Sequence, residues 1–375
     1  MRALITGGGT GGHINPALAI ASIIKEHEPD SQFLFAGTPF GMEARLIPEA
    51  GYDFAHIKVR GFQRKISLEN IKRNAQAAAY LVTALPRAKQ IIKEFKPDVV
   101  IGTGGYVSGP VVYQAAKLGI PTAIHEQNAY PGVTTRILTK KVNKVMLTVK
   151  EALDYLGTDE IDYTVTGLPV RAELFEKTKE QARKELGFDD SFTVLSFGGS
   201  LGAGCINETM AEVIKYTRAN DLKINHIHGY GGMGRETFPA AMKKYGVPMK
   251  SDRTRITEYI NDMDTCMAAA DLVICRSGAT TLAELEAMGK PAILIPSPIV
   301  AGNHQFHNAN VLGKTGAAIV IEQKNVKCEE VTGIIEDLYN DPSRVKEMSE
   351  CSKKLWIADT SDKIWQTVES IVKKA

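Results

Sequence analysis

The chain has 375 residues, 44% apolar and 23% charged, which is too long for one ordinary core and suits two well-packed domains. Its net charge of +2 argues against a nucleic-acid protein, and no nucleic-acid partner is expected. Five scattered cysteines (Cys205, Cys266, Cys275, Cys328, Cys351), odd in number and without a C-x-x-C pair, read as reduced thiols of a cytosolic chain. The start shows no apolar signal region. The longest apolar run, AAAYLVTAL at 77–85, is far below the roughly 20 residues needed to cross a bilayer.

In chain order, the strand-like RALIT runs into Gly7-Gly8-Gly9-Thr10-Gly11-Gly12 and then a helical pattern beginning near Pro16. This fits G-x-G-x-x-G, a turn that seats a phosphate or a sugar at a helix N-terminus. A dinucleotide cofactor would also need an acid at the tip of the second strand, FLFAG. That tip is Ala36-Gly37-Thr38, so no cofactor is expected. Residues 58–96 follow, with ten bases (Lys58, Arg60, Arg64, Lys65, Lys72, Arg73, Arg87, Lys89, Lys93, Lys96) against two acids (Glu69, Glu94). The runs DVVIG, PTAIH and KVMLT complete the first half, and the break between domains is expected within 164–175, where a strand ends in Gly-x-Pro. TVLSFGG, INHIHG, DLVICRSG and PAILIPSP fill the second half.

Apolar runs alternating with helices predict an α/β chain with parallel sheets covered on both faces. ALITGGGTGGHINPALA is echoed by VLSFGGSLGAGCINETMA, so two Rossmann-like domains facing across a cleft are expected. The assignment is 1–166 plus a C-terminal helix at about 355–375 for one domain and 167–354 for the other. Ligands bind beyond the carboxyl ends of such strands, so each following loop is a candidate.

Gly104-Gly105 with Tyr106 and Ser108 is one such loop, or a plain tight turn. HEQNAYPG at 125–132 is another, unless its polar side chains satisfy each other. Gly198-Gly199-Ser200 offers N–H groups and a hydroxyl for a pyrophosphate. After Arg276-Ser277-Gly278, Ala279 and Thr280 can present N–H groups and a hydroxyl to a phosphate. Glu284 can accept from a ribose diol; alternatively Thr281 and Glu284 form a capping box. Asp262 and Asp264 resemble a metal-holding pair, but first-turn acids also stabilise a helix, and no metal is expected. In AGNHQFHNA at 301–309, amide and imidazole groups could read sugar hydroxyls.

GGGTGGHINPALA, GGYVSGP, HEQNAYPG, FGGSLGA and CRSGATTLAE, in this order and spanning nearly the whole chain, resemble the MurG family. These glycosyltransferases move N-acetylglucosamine from UDP-GlcNAc to lipid I, making lipid II of bacterial peptidoglycan. The resemblance implies a GT-B fold with an N-terminal domain for the lipid-linked acceptor and a C-terminal domain for the donor. It places Thr10, Gly11, Gly12 and Asn128 on the acceptor side, Arg171 and Ser200 at the diphosphate, Ile260 at the uracil, Glu284 at the ribose and Gln305 at the sugar. Three departures stand out: Leu168 in Gly-Leu-Pro-Val-Arg, Leu201 after the second glycine turn, and His304 before Gln305.

An inverting transfer needs a base for the acceptor hydroxyl and stabilisation of the leaving diphosphate. His13 suits the first task, unless it only bonds a loop carbonyl. The competing activities are UDP-GlcNAc 2-epimerisation on the same fold and, with less support, NAD-dependent oxidoreduction. A lipid-linked acceptor implies a peripheral enzyme on the cytoplasmic face of the plasma membrane, with other cell-wall synthesis proteins as further partners. The basic segment, with Ile66, Leu68, Ile71, Tyr80, Leu81, Val82 and Leu85, is the candidate surface for anionic lipid, although most of these seven are expected to face the core.

Overall fold

The computed structural model describes residues 1–61, 67–157 and 160–373. The chain divides into two compact units, Met1–Pro169 with Ile357–Ala375, and Val170–Trp356.

The first unit is a seven-stranded parallel sheet: β1 (Arg2–Gly7), β2 (Gln32–Gly37), β3 (Asp53–His56), β4 (Val99–Gly104), β5 (Thr122–Glu126), β6 (Lys144–Leu147) and β7 (Tyr163–Val165). Their order is β3-β2-β1-β4-β5-β6-β7. Alternate residues of β1 enter opposite cores, because successive side chains point to opposite faces. Leu4 packs with Val100, Val111, Ile124, Ala88, Ile91 and Ile92 on one face. Ala3 and Ile5 pack with Ile14, Ala17, Ile20, Ile24 and Ile101 on the other. The C-terminal helix Thr360–Val372 lays Ile364, Val368 and Ile371 into this second core, at helical spacing.

Helix Leu68–Phe95 runs 28 residues through Pro86, started by a bond from Asn70 N–H to the Ser67 hydroxyl. Its core-facing stripe is Ala77, Ala84, Ala88, Ile91 and Ile92. The expectation that most of the bulky apolar residues of 58–96 face the core is therefore corrected. Ile71 is 57% exposed, Leu81 39% and Val82 72%, while Tyr80 and Leu85 are half-buried. Small alanines take the inward positions and let the helix lie close to the sheet. Arg64, Lys65 and Ile66 lie outside the described residues, as does the side chain of Leu68.

The second unit is a six-stranded parallel sheet: β8 (Phe192–Phe197), β9 (Ile224–Gly229), β10 (Thr254–Thr257), β11 (Leu272–Cys275), β12 (Ala292–Leu294) and β13 (Ala318–Val320), ordered β10-β9-β8-β11-β12-β13. The sequence echo is an echo of topology. β8 occupies the place of β1, and β11 that of β4. In each sheet the strand order reverses between that pair, which is where open α/β sheets bind ligands.

Candidate active site

At the switch point of the first unit, β1 ends in the glycine turn and helix Gly11–His27 begins, with Thr10 at its N-cap position. Thr10 O accepts from the N–H groups of His13 and Ile14, so Thr10, Gly12 and their neighbours open outward, while His13 is half-buried. The turn is not spare room for a ligand throughout. A Cβ on Gly8 would lie 2.6 Å from the Glu43 carboxyl, and one on Gly7 2.0 Å from Thr103 Oγ1. Only Gly9, Gly11 and Gly12 have no such close neighbour.

Glu43 is a residue that the sequence reading missed. It is 1% exposed and accepts from Gly9 N–H (3.0 Å), Thr38 N–H (3.1 Å) and Thr38 Oγ1. Burial pushes this carboxyl up, but the hydrogen bonds from Gly9 and Thr38 outweigh it and leave the pKa below its ordinary value. The acid that lies five residues beyond the tip of β2 is therefore spent on the glycine turn and on Thr38, with no exposed carboxylate for a ribose.

The loop after β4 sits against the same turn. A Cβ on Gly104, which has φ +109°, would lie 2.5 Å from His13 Nδ1. Glycine there is what allows the imidazole its place. Ser108 Oγ lies 2.9 Å from Thr6 O and 2.7 Å from Gly104 O, its one hydrogen shared between them, and this ties the two loops together. His13 Nδ1 lies 3.0 Å from Thr103 O and 3.1 Å from Gln127 Oε1. The loop carbonyl bond is thus present, and it uses one ring nitrogen only.

The loop after β5 is largely self-satisfied. Glu126 Oε1 accepts from Asn128 N–H (3.0 Å) and Asn128 Nδ2 (3.1 Å), and Glu126 Oε2 from Gly132 N–H and Thr135 Oγ1. Asn128 is therefore held by Glu126, half-buried.

In the second unit, Gly198-Gly199-Ser200 follows β8, with Gly199 and Ser200 exposed. Beside them Leu201, where the family resemblance leads one to expect glutamine, is 73% exposed. Helix Ala279–Met288 follows β11, with Gly278 at its N-cap and no side-chain cap bond. The capping box does not form, because the helix starts two residues before Thr281. Ala279, Thr280 and Thr281 instead make the half-buried first turn. Glu284 lies further along and is 7% exposed. Its Oε1 accepts from Arg171 Nε (3.1 Å) and Nη2 (3.0 Å). Burial raises the Glu284 pKa, and the Arg171 charge and hydrogen bond offset part of that rise. The Arg171 side chain remains 51% exposed.

Gln305 is partly committed: its Oε1 accepts from Ser297 N–H (2.8 Å), and its backbone O accepts from Ser277 Oγ (2.7 Å). Arg276 is turned to Ile295 O and Gln323 Oε1. Ile260, after β10, packs its Cδ1 near Gly229 at the tip of β9. Asp262 sits at the N-cap position of helix Met263–Ala269 and takes both Nη atoms of Arg255, at 2.7 and 2.8 Å. Asp264 lies 3.8 Å from Lys177.

The sequence matches the glycosyltransferase family 28 N-terminal domain over 3–147 and the C-terminal domain of the same family over 193–364. Two Rossmann-like domains matched in this way define a glycosyltransferase of the GT-B class. The chain belongs to glycosyltransferase family 28. An Acetivibrio thermocellus protein named UDP-N-acetylglucosamine–N-acetylmuramyl-(pentapeptide) pyrophosphoryl-undecaprenol N-acetylglucosamine transferase is 46% identical over 374 residues, 100% of this chain and 99% of its own. A protein of the same name from Alkaliphilus oremlandii is 40% identical over 375 residues, 100% of both chains. The crystal structure of Acinetobacter baumannii MurG is similar at a TM-score of 0.78 and 28% identity, over 99% of each chain. A UDP-GlcNAc 2-epimerase from Neisseria meningitidis, bound to UDP-GlcNAc, shares the fold alone, at a TM-score of 0.68 and 13% identity over 99% of this chain and 100% of its own.

Proposed function

We propose that the chain transfers N-acetylglucosamine from UDP-GlcNAc to the 4-hydroxyl of the N-acetylmuramyl unit of lipid I, giving lipid II, with inversion at the anomeric carbon. The observation that carries this reading is the full-length identity, 40 and 46%, to two transferases whose names state the donor, the lipid-linked acceptor and the sugar transferred. The epimerase alternative has only a likeness of fold behind it.

The donor falls to the second unit. Glu284 takes the ribose hydroxyls, and Arg171, already against it, turns its exposed guanidinium to the diphosphate. Ser200 and the N–H groups of Ala279 and Thr280, with the hydroxyls of Thr280 and Thr281, complete the anion seat at a helix N-terminus. Ile260 meets the uracil through its backbone. Gln305 offers the sugar its Nε2, since its Oε1 serves Ser297.

The acceptor falls to the first unit, along Thr10, Gly11, Gly12 and Asn128. There His13 takes the proton from the attacking hydroxyl as UDP leaves through an oxocarbenium-like transition state. No described helix is long and apolar enough to cross a membrane. The polyprenyl acceptor is then met at the surface of the cytoplasmic leaflet, where exposed bases and apolar side chains of helix Leu68–Phe95 reach anionic headgroups.

The reading is tested with UDP-GlcNAc labelled in the sugar and a short-chain lipid I analogue. The label is expected in the acceptor, in a bond of inverted anomeric configuration. Conversion of UDP-GlcNAc to its 2-epimer with no label in the acceptor would overturn it.

A further inference from the structure

The geometry points to Gln127 and His125 as positioning residues that, with the Thr103 carbonyl, hold His13 with its proton on Nδ1 and its lone pair on Nε2. This deepens the proposed transfer and rests on it for the role of His13, but the arrangement of protons stands on five contacts of its own.

Thr103 O lies 3.0 Å from His13 Nδ1, and a carbonyl oxygen only accepts. His13 Nδ1 must therefore carry hydrogen. The orientation of the Gln127 amide is fixed in the same way. Its Nε2 lies 2.9 Å from His125 O, again an obligate acceptor, so the NH₂ end points there and Oε1 faces His13 at 3.1 Å. The second Nε2 hydrogen reaches His125 Nδ1 at 3.0 Å, which makes that nitrogen an acceptor. His125 Nε2 then carries the other proton and donates to Gly167 O at 3.1 Å. The chain His13–Gln127–His125–Gly167 is thus determined at both ends by backbone carbonyls, and every group in it has one consistent role.

Two further observations support a relay built to stay in this state. His125 is 1% exposed and Gln127 4%, so neither exchanges partners with water. Burial lowers the His125 pKa, more than the Gly167 carbonyl and Glu126 raise it, which favours the neutral ring the chain requires. A protonated His125 could not accept from Gln127, and the amide would lose its orientation. At the other end, His13 keeps Nε2 as the nitrogen able to accept a proton, which is what a general base needs. The charged group facing the relay is Glu126, adjacent to His125 and occupied by Asn128, Gly132 and Thr135.

The test uses the full chain with ¹⁵N-labelled histidine, the His13 signals being assigned by their loss in His13→Asn. The spectrum of the neutral ring is expected to show a protonated Nδ1 and an unprotonated Nε2. The opposite pattern would overturn the inference whether or not His13 is the base, so this readout is separate from the transfer reaction. Gln127→Met, near in volume but without the amide, is expected to lower kcat with little change in KM for UDP-GlcNAc. The loss should lie between tenfold and about 10⁴-fold, the upper figure being that for a triad histidine left in the wrong tautomer. Gln127→Glu places a carboxylate on His13 Nδ1–H and should move the acid limb of the pH–rate profile upward. An unmoved limb in a folded Gln127→Glu protein would contradict the contact between position 127 and the His13 ring, and an unchanged kcat in Gln127→Met would contradict the positioning role.

Discussion

Glu284 and Glu43 are both buried carboxylates, and their partners separate their roles. Glu284 faces one half-exposed arginine, and burial leaves its pKa raised. Glu43 is saturated by N–H and O–H donors of its own unit, and its pKa ends lowered. The first is the carboxylate proposed to take the ribose hydroxyls; the second is bonded to the glycine turn. Glu284→Ala is expected to weaken UDP-GlcNAc binding by about 1.5–3 kcal/mol, the worth of hydrogen bonds to a charged group. Its melting point should change little, because Arg171 is already hydrated and no capping bond is lost. A lower melting point with unchanged donor affinity, read by calorimetry and titration, would reverse the assignment. Glu43→Ala should do the opposite. It leaves the Gly9 and Thr38 donors without partners, costing about 1–3 kcal/mol in denaturant unfolding, with donor affinity kept. These pairings were only partly legible in the sequence. The loops that carry them were marked by glycines after apolar runs, but Arg171 and Glu284 are 113 positions apart, and His13 and Gln127 114. No periodicity relates residues at such distances; only the folded sheet brings them together.

At the scale of the element, strands buried on both faces announced themselves as apolar runs, whereas β3, β10 and β13 did not. All three are edge strands of three or four residues, half-exposed in part, so they lack the long buried run that marks a central strand. Helix Leu68–Phe95 misled in the other direction, because its inward stripe begins with alanines while the bulky Ile71, Leu81 and Val82 face water. Its exposed Ile71, Val82, Lys72 and Arg73 lead to the expectation that the protein binds anionic vesicles, less so as salt rises. Reversing Lys72 and Arg73 to Glu should weaken that binding by at least about 2 kcal/mol, at about 1 kcal/mol per base, while transfer to a soluble acceptor survives. Vesicle binding equal to the parent's would remove this face from the membrane contact.

Strand β9 carries a different expectation. Burial depresses the pKa of His226 and of His228 from 6.5 to about 3. The unfolded chain therefore binds more protons than the folded one between these values, and stability is lost as pH falls through that window. The second unit should lose roughly 1 kcal/mol per histidine by about pH 5.5. Trp356 reports on this unit and Trp365 on the other. A Trp356 unfolding transition that is flat across the window would contradict the buried neutral pair.

At the scale of the whole molecule, the duplicated strand–glycine–helix start was enough to read two Rossmann-like domains of the GT-B class, because it places the same topology, and the same switch point, in each half. The C-terminal helix joins the first unit for a reason also visible in sequence: Ile364, Val368 and Ile371 make one apolar stripe. Glu43 and the relay behind His13 were hidden, since one acid or amide among many carries no local mark of burial. In the proposed transfer both halves act in one reaction, the second by holding UDP-GlcNAc and the first by deprotonating the acceptor through His13. The most direct measurement is UDP release from UDP-GlcNAc, with and without a lipid I analogue, in the parent and in His13→Ala. Release is expected only with the acceptor, falling about 10²–10⁴-fold in His13→Ala at nearly unchanged donor affinity. Release that needs no acceptor, or a His13→Ala rate equal to the parent's, would contradict the account.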